Sequence, residues 1–278
     1  MSKSVRMRIG DRRAIWNLVG ECRELGDDRV AWRDHWVAGL ADLVDAELGL
    51  AGEAAGSHDL SFRDLGVTFW WRPRFLDLAM LANHMSRFRD DPQYSPAMIE
   101  YFRHYQRQAG LCLSRKDFIE DRTWYRSADF ELTHGPFGID STLWCFQPIS
   151  GATRGEMSSV IIARAHGRKD FNLRDRTVIR EAQTMIAPHV GSSLARYSDP
   201  SPSQLAPRVR QVLACVLQGD GDKQIAARLG LKPHTVNTYT KVLYHHFRVS
   251  SRAELLARWI RRGWGDRFGW LELVEPAT

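Results

Sequence analysis

Several features that would assign a chemistry directly are missing from this 278-residue chain. Its four cysteines, Cys22, Cys112, Cys145 and Cys215, form no CxxC pair. That spacing argues against a zinc site or a disulfide framework and predicts buried free thiols. There is no HExxH, no phosphate-cradling glycine loop ending in Gly-Lys-Ser/Thr and no Gly-x-Ser-x-Gly, so metalloprotease, nucleotide-hydrolase and serine-hydrolase readings find no assembled set. Ten histidines are present. The adjacent pair His245-His246 diverges by about 100° on a helix, a poor geometry for chelation. No catalytic residues, metal or cofactor are expected. No apolar run is long enough to span a bilayer. Met1–Arg13 is basic with no apolar core behind it, unlike a signal peptide. A cytoplasmic protein with no membrane partner is the expectation.

The composition, 44% hydrophobic and 26% charged, is that of an ordinary globular protein, and the length allows two domains with real cores. The net charge of +6 is unevenly spread. Residues 203–265 carry 11 Lys+Arg against 3 Asp+Glu, residues 266–278 carry −2, and residues 1–202 balance to zero. The whole excess of positive charge lies in one short segment, as counterion release by phosphate-facing Lys and Arg requires.

Within that segment, Gly219 to Val249 reads as two short amphipathic helices and a tight turn. Asp222 is placed to cap the first, with Ile225, Ala226 and Leu229 on one face. Gly230 ends it and Pro233 opens the next. On that second helix Val236, Tyr239, Leu243 and Phe247 recur at spacings of three and four and face inward. Asn237, Thr238, Lys241 and His245 point the other way, presenting short polar groups and a cation suited to a major groove.

With its flanks, this stretch resembles the four-helix DNA-binding domain of LuxR/FixJ-type transcription regulators. The resemblance rests on Leu205-Ala206-Pro207-Arg208, Lys223-Gln224-Ile225-Ala226, Leu229-Gly230, Thr235-Val236, Val249 and Ser251-Arg252-Ala253-Glu254-Leu255. It implies double-stranded DNA as partner, base contacts from Asn237, Thr238 and Lys241, and phosphate contacts from Lys223, His234, Thr235, Tyr239 and His245. It also implies a homodimer paired through the last helix, where Leu256 and Ile260 would meet a second copy. Ala206, Val209 and Lys232 depart from the family by omitting caps, Asn237 stands where a basic residue is common, and Arg248 where glycine is common.

The remainder reads as α/β. Helices are expected over 11–25 and 28–48, a Gly/Ala-rich loop over 49–61 and a strand over Gly66–Trp71. Asp27-Asp28 is not preceded by the buried strand that a phosphoacceptor receiver domain needs. Further helices are expected over Pro73–Phe88, Pro96–Gln106 and Asp121–Leu132, with a turn at Asp90-Asp91-Pro92 and a short strand at Leu111–Leu113. Two strands, Thr142–Pro148 and Ser158–His166, form a hairpin through Ser150–Gly155. Asn172 caps a closing helix that Pro188 should kink. This order, with the Phe171-Asn172-Leu173-Arg174-Asp175 helix entry, is similar to a GAF-type domain, an antiparallel sheet with flanking helices. The expected architecture is therefore a sensory unit over 1–197 (GAF-like core from about 60, N-terminal helices 11–48), a proline-rich linker over 198–203, an all-α four-helix helix-turn-helix domain over 204–265 and a tail over 266–278. Trp70, Trp124, Trp144 and Phe146 are candidates to line a pocket for an unidentified small molecule. Asp91-Pro92 alone is too little to carry over the ligand of acyl-homoserine-lactone receptors. The alternative function is a ligand- or protein-binding sensor whose DNA reader is degenerate.

Overall fold

The computed structural model describes residues 6–56, 63–72, 87, 94–149 and 155–261. The helix expected over 73–88 lies outside the described residues apart from one position, as do the Asp90-Asp91-Pro92 turn, most of the 150–155 loop and the tail from 262. The chain divides into two compact units, Met1–Tyr197 and Ser198–Thr278.

The first unit is built on a five-stranded antiparallel sheet of order β2-β1-β5-β4-β3. Its strands are β1 (Leu48–Ala55), β2 (Arg63–Trp71), β3 (Cys112–Ser114), β4 (Ile139–Pro148) and β5 (Met157–Ala165). Around them run α1 (Ile9–Glu24), α2 (Ala31–Leu43), α3 (Pro96–Arg107), α4 (Arg115–Phe118), α5 (Asp121–Trp124) and α6 (Leu173–Ile186). The strand alternation sorts side chains to two faces. Ala51, Leu143, Cys145, Val160 and Ile162 join Ile15, Trp36, Leu40, Val178 and Ile179 in a core with α1, α2 and α6. Trp144, Phe146 and Ile161 join Tyr101, Phe102, Tyr105, Phe118 and Trp124 on the other face. There the Tyr101 hydroxyl accepts from the Phe146 N–H at 3.1 Å and donates to the Leu111 carbonyl at 3.0 Å.

Four expectations are corrected here. Residues 48–55 form an inner strand, paired on one side with β2 and on the other with β5. Glycine and alanine suggest a loop by propensity, yet a strand hemmed in on both faces needs small residues. A Cβ on Gly49 would lie 2.5 Å from Val37, and one on Gly52 would lie 2.9 Å from the Gly66 carbonyl. The helix expected over 121–132 is a four-residue helix followed by a π turn at Phe130–His134. Ser127 divides them, donating to the Trp124 carbonyl at 2.7 Å and accepting from the Phe130 N–H at 3.1 Å, so its hydroxyl competes with the helical ladder. Pro188 does not kink α6: the helix stops at Ile186 and residues Ala187–His189 tighten into a 3-10 turn. The second helix also closes earlier than expected, at Leu43.

The chain leaves this unit through a tethered tyrosine. The Tyr197 ring lies 4.1 Å from the Arg33 guanidinium, its hydroxyl 2.5 Å from Thr68 Oγ1, and its carbonyl accepts from Arg29 at 2.6 Å. Its N–H donates to Glu53, the carboxylate that also receives Arg33 in a buried ion pair. Gly66 makes room for the ring, since a Cβ there would stand 2.2 Å from it.

The second unit packs α7 (Pro207–Leu217), α8 (Asp222–Leu229), α9 (Pro233–Phe247) and α10 (Arg252–Arg261) around Val212, Leu213, Ile225, Val236, Leu243, Phe247, Leu255 and Trp259. The capping of α8 differs from expectation. Gly221 is the N-cap, Asp222 is already the first helical residue, and the Gly221 N–H is held by Gln224 Oε1 at 2.7 Å. At α10 the Glu254 N–H donates to Ser251 Oγ at 3.2 Å, and the Glu254 carboxylate accepts from the Ser250 N–H and hydroxyl, each at 2.8 Å. Gly230 adopts φ 61°, ψ 38° and turns the chain from α8 to α9.

Candidate nucleic-acid interface and apolar cavity

Helix α9 presents two different sides. Val236, Leu243 and Phe247 are fully buried, which fixes the helix rotation. That rotation leaves Asn237, Thr238, Lys241 and His245 exposed together. Thr238 Oγ1 donates to the His234 carbonyl at 3.1 Å and so is held in one orientation. Lys223 and His234, at the openings of α8 and α9, are exposed; Thr235 and Tyr239 are half-buried, Tyr239 against the unit's core. Lys232 caps α9 with no side-chain hydrogen bond, as Ala206 does for α7, so the opening of each helix keeps unneutralised amide dipole. Val242, which the sequence reading did not select, is 44% exposed on the same side of α9. Its position four residues after Thr238 was the available signal.

No acidic residue occurs in α9. Arg228 pairs with Asp220 at 3.0 Å. Arg208, Arg252 and Arg258 are turned to carbonyls of Leu229, Val216 and Phe247 and brace the fold. Lys223, Lys232 and Lys241 stay exposed. Helix α10 buries Leu255 and Trp259, whereas Leu256 is half-buried and Ile260 is 76% exposed.

The first unit holds a cavity of about 110 Å³ on the α3 face of the sheet. Gly52, Ala54, Ser159 and Ala163 open it by their small size, and Leu50, Phe69, Trp144, Phe146 and Ile161 give it apolar walls. Of the four aromatic residues expected at a pocket, Trp144 and Phe146 line this cavity. Trp70 and Trp124 do not. Trp70 lies on the opposite face of β2 against the α1–α2–α6 core, and Trp124 is buried with its ring centroid 5.6 Å from Phe130 and 4.7 Å from His134. The cavity has a polar end at Ser95, Asp129 and His134. Ser95 Oγ donates to Asp129 at 2.6 Å, and the other Asp129 oxygen lies 3.4 Å from His134 Nε2. Burial holds the His134 imidazole below its usual pKa, with Asp129 opposing. Sequence reading missed this end because residues 95, 129 and 134 converge only through the fold. Glu53 and Gly66, which hold Tyr197, also line the cavity.

All four cysteines are free thiols. Burial pushes Cys22 up to about 12, which suits a packing role. No helix among the described residues is long and apolar enough to cross a membrane.

Residues 203–258 match the family described as bacterial regulatory proteins, luxR family. A probable HTH-type transcriptional regulator, GfsR of Streptomyces halstedii, is 30% identical over 90 residues, spanning 32% of this chain and 37% of that protein. Among solved structures, Escherichia coli SdiA aligns over 89% of this chain and 97% of its own at 12% identity and a TM-score of 0.41. Vibrio cholerae VqmA, solved as a dimer without target DNA, aligns over 45% and 48% at 21% identity and a TM-score of 0.23. Likeness at those scores says nothing about ligand or mechanism. The segment 203–258 is a helix-turn-helix domain of the bacterial luxR family.

Proposed function

We propose that the protein is a sequence-specific, DNA-binding transcription regulator that works as a homodimer, with α9 lying in the major groove. The observation that carries this reading is the exposed face of α9, where Asn237, Thr238, Lys241 and His245 stand together on an acid-free helix. Lys241 donates to guanine O6/N7, Asn237 pairs with adenine N6/N7, and Val242 meets a thymine methyl. Lys223, His234, Thr235, Tyr239 and His245 contact phosphates and set the register. Leu256 and Ile260 pair two copies across a two-fold DNA site.

The first unit is read as a GAF-like sensor. Its ligand is a small, mainly apolar molecule in the cavity lined by Trp144 and Phe146, with its polar group at Ser95, Asp129 and His134. Glu53 and Gly66 border both the cavity and Tyr197, so occupancy bears on the residue from which the linker departs.

Selection of bound fragments from a random DNA pool supplies the operator. On that operator, Lys241→Ala should cost about 1–3 kcal/mol of specific binding, while Lys223→Ala should weaken binding to all sequences alike and flatten the salt dependence. Equal, sequence-blind losses from both substitutions would sink the assignment of roles.

A further inference from the structure

Two of the four cysteines face each other across the sheet. In the pairing of β3 with β4, Cys112 stands directly opposite Cys145, with Leu113 against Trp144 and Ser114 against Leu143. Directly opposed residues of an antiparallel pair have Cα atoms about 4.5–5.5 Å apart, inside the span of about 4.4–6.8 Å that a disulfide requires. Strand alternation puts both thiols on the side of the α1–α2–α6 core. Cys145 belongs to that core and Cys112 packs against it. The two side chains share a hydrogen bond. Cys22 instead donates to the Trp32 carbonyl at 3.5 Å, and Cys215 lies on α7 of the second unit.

The two thiols are unequal. Cys145 is fully buried, and that burial, reinforced by the Cys112 hydrogen bond, pushes its thiol well above the usual value. Cys112 is half-buried on a three-residue strand at the edge of the sheet. A small oxidant therefore meets Cys112 first. What holds β3 in place also bears on the cavity. Cys145 lies between Trp144 and Phe146, which line it. The Leu111 carbonyl, just before β3, accepts from the Tyr101 hydroxyl, which in turn accepts from the Phe146 N–H.

We propose that Cys112 and Cys145 form a reversible, peroxide-responsive disulfide that fastens β3 to β4. The Cys112 sulfur attacks one oxygen of hydrogen peroxide. The O–O bond breaks, one water leaves, and Cys112 becomes a sulfenic acid. The Cys145 sulfur then attacks the Cys112 sulfur, the S–O bond breaks and a second water leaves. Two electrons pass from the sulfurs to the peroxide, and both thiol protons end in the waters. A thiol reductant reverses the bond by exchange and is itself oxidised to a disulfide. The site stands apart from the DNA-reading face and requires no ligand in the cavity.

The test treats the reduced full chain with a small molar excess of hydrogen peroxide, then alkylates the remaining thiols and digests with trypsin. The two cysteines fall in different tryptic peptides, residues 108–115 and 127–154. The bond should therefore appear as a linked pair of peptides, two hydrogens lighter than its parts, that separates on reduction. Cys22 and Cys215 should be recovered alkylated. Amide hydrogen exchange in β3 should slow on oxidation and recover with reductant. Both measurements use the unsubstituted chain. In Cys145→Ser the Cys112 sulfenic acid meets no thiol and should be captured by dimedone, whereas in Cys112→Ser the buried Cys145 should stay reduced. Peptides 108–115 and 127–154 that are never joined, or joined only between two chains, overturn the proposal. So does a dimedone adduct on Cys145, or β3 exchange that oxidation leaves unchanged.

Discussion

The two units handle positive charge in opposite ways. In residues 1–197, Arg33, Arg115 and Arg164 are drawn inside and Arg174 is half-buried, each paired with a carboxylate. Arg33 pairs with Glu53, Arg115 with Asp121, Arg164 with Asp175 at 3.0 Å and Arg174 with Asp11 at 2.5 Å. Arg33 and Arg164 also lie over the rings of Trp32 and Phe171 at 4.0 and 4.2 Å. In the second unit the core is apolar, its bracing arginines bond carbonyls, and Lys223, Lys232 and Lys241 remain at the surface. Buried pairs fix a unique arrangement but bring little net attraction for a partner. Exposed cations do the reverse, raising affinity for a polyanion while adding little to stability. One unit uses its charge for shape, and the other keeps it at the surface.

If the units are separate in this sense, damage to one core should stay there. Phe247→Ala removes a fully buried ring from the centre of the four-helix unit and should cost about 3–5 kcal/mol. Scanning calorimetry should show one transition falling and the other unmoved. A joint fall of both would show that the units unfold as one.

A pH titration sharpens the same contrast. Burial alone would raise the Asp11 carboxyl, but the Arg174 side-chain bond and the Arg8 backbone N–H together hold it below its usual value. A depressed folded pKa means that the pair contributes stability above the unfolded carboxylate range and that this is lost as pH falls through the folded value. Arg174→Ala should therefore cost about 1–3 kcal/mol at neutral pH, and the deficit should shrink as the solution is acidified. A deficit independent of pH would assign the loss to packing.

The same division explains what could be read before the fold was known. In the second unit every informative signal is local: Gly230 in a left-handed turn, Pro233 at a helix start, and apolar spacings of three and four that bury Val236, Leu243 and Phe247. The small error there is a one-residue shift of a cap, where Gly221 takes the place expected of Asp222. In the first unit the decisive contacts are distant in sequence. Residues 48–55 look like a loop until β2 and β5 close on them, and only the sheet explains why glycine stands at 49 and 52. Trp70 and Trp144 are both aromatic strand residues, and the register of their strands sends one to the helical core and the other to the cavity. The Ser95–Asp129–His134 end of the cavity left no local trace at all.

Arg248 links the two uses of charge in a single residue. It ends α9 at φ 51°, ψ 48°, a left-handed conformation that disfavours a side chain bearing Cβ. Glycine removes that strain and gives back part of the gain through its greater freedom when unfolded, so Arg248→Gly should stabilise the second unit by about 0.5–1 kcal/mol net. The guanidinium is exposed just past α9, where it adds to the surface cations. On DNA the same change should weaken binding without altering sequence preference and reduce the salt slope by about one. A more stable protein with an unchanged salt slope would remove Arg248 from the interface. A less stable one would mean that its side chain, rather than the backbone turn, holds the end of α9.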